Sequence, residues 1–225
     1  MSEKKQVEDY LALRFARQDK REKLMHELLS GANEAAELML EKRTRQTERA
    51  FILTVAMAME GIMSILRQEI LEIIRMNATV EPFTISETVL LQGRAFGIKQ
   101  NGRVERKTTR IPLEARVKFT LICLAKAYGM TQEEINKGAL LDNMRVMITV
   151  RNRLVHPKTS DDMTISKGDF DSTRACVTWL HDLLETTRKA VVNLWQDMGK
   201  TLHVPGAREL AFFEIADDMT DSDEI

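Results

Sequence analysis

Cysteine, proline and aromatic residues are scarce in this 225-residue chain, which has two cysteines, four prolines and 5% Phe, Trp and Tyr. Cys123 and Cys176 fall inside apolar helical runs without metal-ligand spacing. That excludes a disulfide framework or zinc site and leaves core thiols of a reducing compartment. So few prolines leave room for long helices, and few aromatics beside 13 methionines suit helical packing better than sheets. No Walker loop, GxGxxG after a strand, HExxH, CxxC or GxSxG is present, so nucleotide-fuelled, zinc and serine-hydrolase chemistries have no foothold. No metal or cofactor is expected. Long hydrophobic runs are also lacking. The one candidate, Ala50 to Leu66, is interrupted by Thr54, Glu60 and Ser64 and is short for a bilayer crossing, so it reads as a core helix and no membrane is expected. The chain opens on charged residues instead of an apolar leader, and a cytoplasmic location is expected.

With 44% hydrophobic and 30% charged residues, the chain can bury a real core. From Glu3 to about Glu48, mixed charges alternate with Val7, Tyr10, Leu11, Leu24, Leu28, Ala35, Leu38 and Met39 at helical spacing. The segment reads as one amphipathic helix or two, broken or bent near Ser30-Gly31. His26 there reads as a surface residue. Ala50 to Met76 is the most apolar helix, with Ile52, Val55, Met59, Ile62 or Met63, and Leu66 inward. Glu60 is the only acid in that run before Glu69.

Residues 77–110 change character. Pro82, Gly93, Gly97 and an Asn101-Gly102 turn signal flanked by Phe96, Ile98 and Val104 indicate a loop with a short hairpin. Arg94, Lys99, Arg103, Arg106, Lys107, Arg110, Arg116 and Lys118 gather here against only Glu105 and Glu114. Such an excess fits either a phosphate-backbone contact surface, centred on Arg103, Arg106, Lys107 and Arg110, or an ordinary solvated loop. No aromatic ladder accompanies it, so base stacking on single strands is not supported.

Pro112 opens a helix with Leu113, Val117, Leu121, Leu124 and Tyr128 inward and Gly129 as its stop. Thr131 to Glu134 resembles a capping box starting the next helical segment. After a polar loop from Pro157 to Gly168, Asp169 or Asp171 caps a last helix to about Met198, ended by Gly199. Its stripe is Val177, Leu180, Leu184, Thr187, Val191, Leu194 and Met198, beside His181, which reads as structural or surface. The acidic stretch from Glu214 to Ile225 reads as a flexible tail.

The chain is organised around Leu140 to Lys158. Leu140, Met144, Met147, position 151 and Leu154 follow one helical stripe, and position 151 is Arg. A guanidinium on an apolar stripe must be paired or face a cleft. Glu60, the acid on another buried helix, is the expected cross-helix partner, whether as catalytic scaffolding or as plain structure. Asn152 lies beside Arg151, and His156 follows one turn after Asn152. Pro157 places His156 at the helix end, where its ring can swing toward Arg151, from which an unbroken helix would hold it about 140° away. The negative end of the helix favours imidazolium near neutral pH. One His with one Arg suffices for RNA cleavage without a metal. His156 acts as base on a ribose 2'-hydroxyl or as acid for the leaving 5'-oxygen, Arg151 steadies the phosphate, and Asn152 orients either. Two copies meeting at a symmetric cleft would supply acid and base together.

The run Arg151-Asn152-Arg153-Leu154-Val155-His156 resembles the signature of HEPN domains, an Arg, a following polar residue and a His near a helix end. The helix order around it extends the resemblance over about Ala50 to Met198. The resemblance implies an all-α, up-and-down helical bundle, commonly a homodimer with paired sites facing one groove. It also implies a metal-independent endoribonuclease, a toxin held by an antitoxin protein or a phage-defence effector. Arg151 and His156 would be catalytic, Asn152 the supporting polar position, and Glu60 a match to an acid on an early helix. On this reading residues 1–49 form an N-terminal helical extension, 50–199 the bundle with a hairpin insertion, and 200–225 the tail. Two competitors belong to other classes. One is a non-catalytic HEPN-like module binding a partner protein or nucleotide, the other an elongated scaffold led by the N-terminal helices.

Overall fold

The computed structural model describes residues 3–76, 79–98, 100, 103–135 and 140–202. Within them the regular structure is helical except for one hairpin. The elements are α1 (Glu3–Glu41), α2 (Arg45–Arg75), α3 (Ile85–Leu91), β1 (Arg94–Ile98), β2 (Val104–Thr108), α4 (Leu113–Tyr128), α5 (Gln132–Ile135), α6 (Leu140–Val155) and α7 (Lys167–Leu202). The acidic tail and the Asn101-Gly102 turn lie outside the described residues, as do the side chains of Val7, Tyr10, Leu11 and Met198.

α2 is the centre, packing against α1, α3, α4, α6 and α7. Thr44 caps it: the Thr44 hydroxyl accepts from the Thr47 amide at 3.1 Å, and Thr47 reciprocates on the Thr44 amide at 2.9 Å. The helix thus begins at Arg45, five residues before the apolar run. Neighbours on several sides explain why both Ile62 and Met63 are buried instead of one or the other. By length and composition alone α2 could cross a membrane, and 56% of its most apolar window is buried inside the fold.

α1 does not break at Ser30-Gly31. It continues to Glu41, the Ser30 hydroxyl meeting Glu34 at 3.1 Å. It returns antiparallel along α2, where Gly61 lets it come close, since an added Cβ would lie 2.7 Å from Leu28 Cδ1. Its inner face is Met25, Leu29, Ala32 and Met39, while Leu24 and Leu38 are 46% and 52% exposed. Adjacent apolar pairs offered two stripes one residue apart, and docking on α2 and α7 selected the second. The cost of an interior glycine, about 1 kcal/mol, is offset by that burial.

α3, opened by a Thr84–Glu87 capping box, was not anticipated within residues 77–110. The hairpin was: β1 and β2 pair antiparallel from Arg94↔Thr108 to Ile98↔Val104. Pro112 sits at the N-cap of α4, one position earlier than a first-turn proline. Gly129 ends α4 in the left-handed region at φ 68°, and the Val80 and Glu81 amides donate to the Ala127 and Lys126 carbonyls at 3.1 and 3.0 Å. A Cβ on Gly129 would meet Val80 Cγ1 at 3.2 Å. Gly129→Ala is therefore expected to cost about 1–2 kcal/mol from the left-handed backbone, read as a melting temperature lowered by a few degrees. An unchanged melting temperature would refute this reading of the helix stop.

The Thr131–Glu134 box is present, with the Thr131 amide donating to Glu134 at 2.6 Å. α7 is capped by Ser166, whose hydroxyl accepts from the Asp169 amide at 3.1 Å while Asp169 accepts from the Ser166 amide at 2.9 Å. Asp169 thus serves from the third helical position, not as the cap. α7 also runs through Gly199 to Leu202. Cys123 and Cys176 are buried free thiols, each pushed up to about 12 by burial.

Candidate functional site

α6 buries Leu140, Met144, Met147, Val150 and Leu154. The inward residue at the fourth position of the stripe is Val150, not Arg151. A step of three or four residues both keep a helical stripe, and the apolar side chain took the inner place. Arg151 stands one residue round, at the rim of the core, its side chain 32% exposed. From there the guanidinium reaches Glu60 on α2, Nη2 to Oε1 3.5 Å, and Nη1 donates to Asn152 Oδ1 at 3.1 Å. Glu60 Oε2 also lies 4.0 Å from Nη2 of Arg116 on α4. Three helices therefore bring two guanidiniums to one carboxylate, and the cluster carries an uncompensated positive charge.

His156 is exposed and sits one residue past α6, its amide donating to the Asn152 carbonyl at 3.0 Å. Among the described residues its imidazole has no hydrogen-bond or ionic partner, and nothing ties it to Arg151. The loop that carries it is held. Asp162 accepts from the Lys158 and Thr159 amides at 2.7 and 2.9 Å. Arg153 bonds the Thr164 carbonyl at 2.7 Å and the Asp169 carboxylate, joining α6 to the start of α7. The Lys158 and Thr159 amides hold Asp162 below the usual carboxylate range; for Asp169 burial pushes upward, but the Ser166 amide and Arg153 outweigh it and hold that carboxyl low as well.

The sign of that shift sets a pH dependence. A carboxyl depressed in the fold stabilises above its unfolded value, about pH 4, and that contribution is lost as pH falls through the lower folded value. Asp169→Asn is expected to cost about 1–3 kcal/mol near neutral pH, from the lost cap and charge-assisted bond. Urea unfolding should show the deficit shrinking in acid well below the folded value. Equal deficits at neutral and acid pH would refute it.

The basic segment divides. Arg103 is exposed, Lys107 is exposed with Nζ 2.9 Å from Glu105, and Arg110 is exposed just after β2. Lys99 and the side chain of Arg106 lie outside the described residues. Lys118 is taken by Glu114 at 2.8 Å. Glu114 is held down to about 2 by hydrogen bonds from Arg145 and Lys118. Among the described residues no three His, Cys, Asp or Glu side chains gather as a metal site. His26 is exposed, and so is His181, whose Nε2 lies 3.4 Å from Asn33 Nδ2.

Arg116 was visible only as one of several basic residues, and Arg67 was not singled out. The signal for Arg67 lay in α2 itself, where Glu60, Ser64, Arg67 and Gln68 form a polar stripe at helical spacing on an otherwise apolar helix. Comparison with known proteins gives no matching family model, no matching curated protein and no matching solved structure.

Proposed function

We propose that the chain is a metal-independent endoribonuclease of HEPN type. The observation that carries this is Arg151, 32% exposed and paired with Glu60 beside Asn152, close in sequence to an exposed His156 whose imidazole has no side-chain partner among the described residues. In the proposed reaction a 2'-oxygen attacks the adjacent phosphorus, the P–O5' bond breaks, and the products are a 2',3'-cyclic phosphate and a free 5'-hydroxyl. His156 removes the 2'-hydroxyl proton or delivers one to the leaving 5'-oxygen. Arg151 stabilises the charge growing on the non-bridging oxygens. Two copies in an up-and-down bundle dimer, facing one groove, divide the acid and base roles. A toxin or phage-defence role in the cytoplasm, with an antitoxin protein as the restraining partner, completes the reading.

The Glu60–Arg151 pair does not stand against it. With side chains 36% and 32% exposed, such a pair contributes about 0–1 kcal/mol, so Arg151 can exchange a carboxylate for a phosphate at small cost. The test is incubation of labelled RNAs with the protein in excess EDTA and analysis of the ends. Fragments with 2',3'-cyclic phosphate are expected; intact RNA across varied sequences, with folded protein, would defeat the proposal. The same pair also favours a second reading, a HEPN-like module that binds a partner protein or nucleotide without cutting, in which Glu60 simply neutralises Arg151.

A further inference from the structure

A cleft of about 540 Å³ opens between α2, the base of the hairpin and the first turn of α4. Arg67 from α2, Arg110 from the segment after β2 and Arg116 from α4 line it, and among the described residues no carboxylate does. Ser64 and Gln68 add hydrogen-bonding groups, and Leu71, Leu91 and Ile111 form an apolar wall. Arg67 is half-buried, and its Nε makes only a long bond, 3.4 Å, to the Met63 carbonyl. It has no carboxylate partner among the described residues. Burial and then the Arg116 charge pull Arg67 below the ordinary arginine range. Arg116 has Glu60 at 4.0 Å, beyond hydrogen-bond range, and Glu60 is already shared with Arg151. Two guanidiniums held close, one of them partly desolvated, are costly unless an anion joins them.

We propose that this cleft binds a phosphodiester of a single-stranded nucleic acid, with Arg67, Arg110 and Arg116 on the phosphate and the apolar wall against a sugar or base. The volume lies within the range of about 300–1,000 Å³ typical of ligand sites and exceeds what a lone phosphate fills. The cleft also shares one residue with the Arg151 cluster. Arg116 belongs to both, and Glu60 to Gln68 spans about 12 Å of α2, so a strand gripped in the cleft runs on toward Arg151 and His156. The identity of the strand as a substrate rests on the ribonuclease reading; the anion chemistry of the cleft does not.

The experiment measures binding of a fluorescent oligouridylate methylated at every 2'-oxygen, which cannot be cut, by anisotropy across a salt series, with inorganic phosphate as competitor. Arg67→Gln and Arg110→Gln are each expected to raise Kd about tenfold, and each should reduce the salt slope by about 0.7. Arg110 is exposed, so its variant keeps the test alive should Arg67→Gln misfold. Arg45→Gln, the same charge loss at an exposed position at the far end of α2, should change neither quantity. Absence of binding by the native protein would overturn the proposal, and so would equal losses in all three variants or binding of phosphate without the strand. Cleavage of unmodified RNA is read separately: binding without cleavage defeats the ribonuclease and leaves the cleft, and cleavage with unaltered Arg67→Gln and Arg110→Gln binding defeats the cleft alone.

Discussion

Arg151→Ala is expected to lower RNA cleavage by a factor of about 10² to 10³, the usual cost of removing one preorganised donor from a developing oxyanion, with a loss of folding stability of about 1 kcal/mol or less. His156→Ala should lower it by about 10² to 10⁴, the contribution of one positioned acid or base. The contrast between activity and stability carries the weight. Arg151 sits at the rim of the core with Val150 filling the inward place, so truncation leaves no cavity and exposes no orphan, because Glu60 retains Arg116 nearby. Were Arg151 only a structural counter-ion, its loss would register mainly in denaturation. Arg151→Lys adds a second discriminator: a lysine restores the charge opposite Glu60 but not the planar fork that grips two phosphate oxygens. Stability should be rescued and cleavage should not. Full cleavage by Arg151→Lys, or equal loss of melting temperature and rate in Arg151→Ala, would return Arg151 to a structural role.

How much was legible in the sequence differs element by element, for physical reasons. Long helices were readable because apolar residues recur at 3.6-residue spacing and punctuation is local: Gly129, the Thr131–Glu134 box and the Pro157 boundary all act within one turn. Errors came where local signals were ambiguous and only tertiary contact could decide. Val150 and Arg151 both fit the α6 stripe, Leu24-Met25 and Leu38-Met39 both offered an inner face on α1, and packing chose between them. Ser30-Gly31 and Gly199 are weak breakers, which helices overrode at each place. The Glu60–Arg151 pairing was anticipated from an arginine on the buried α6 stripe; the pair forms at 3.5 Å, but at the rim of the core, because Val150 takes the inward place. The polar stripe on α2 marked Arg67, but its meeting with Arg116 was not inferable, because it depends on α4 and the hairpin base converging on α2, a long-range fact no local pattern encodes.

Deleting residues 1–41 tests the organisation most severely, and the expected result is a chain that no longer unfolds cooperatively. An N-terminal extension that merely decorated a bundle could be removed with the melting temperature intact. α1 instead buries Met25, Leu29, Ala32 and Met39 to 6% exposure or less, in the same core as α2 and α7. At about 1.5–3 kcal/mol for each large side chain, Met25, Leu29 and Met39 alone contribute about 5–9 kcal/mol, a figure that reads as an upper estimate because unfolded chains are partly compact. A typical domain has only about 5–15 kcal/mol in total. Deletion also takes Arg21 from Glu72, a pair with side chains 14% and 17% exposed, and strips cover from the length of α2 that faces α1. Loss of a sharp urea transition and dye binding to exposed apolar surface are therefore expected. A truncated protein retaining a single transition at the native midpoint would show that α1 is dispensable. The site depends on the outcome too: Glu60 precedes Gly61, against which Leu28 of α1 packs, so the carboxylate that tethers Arg151 is placed by a helix braced by α1.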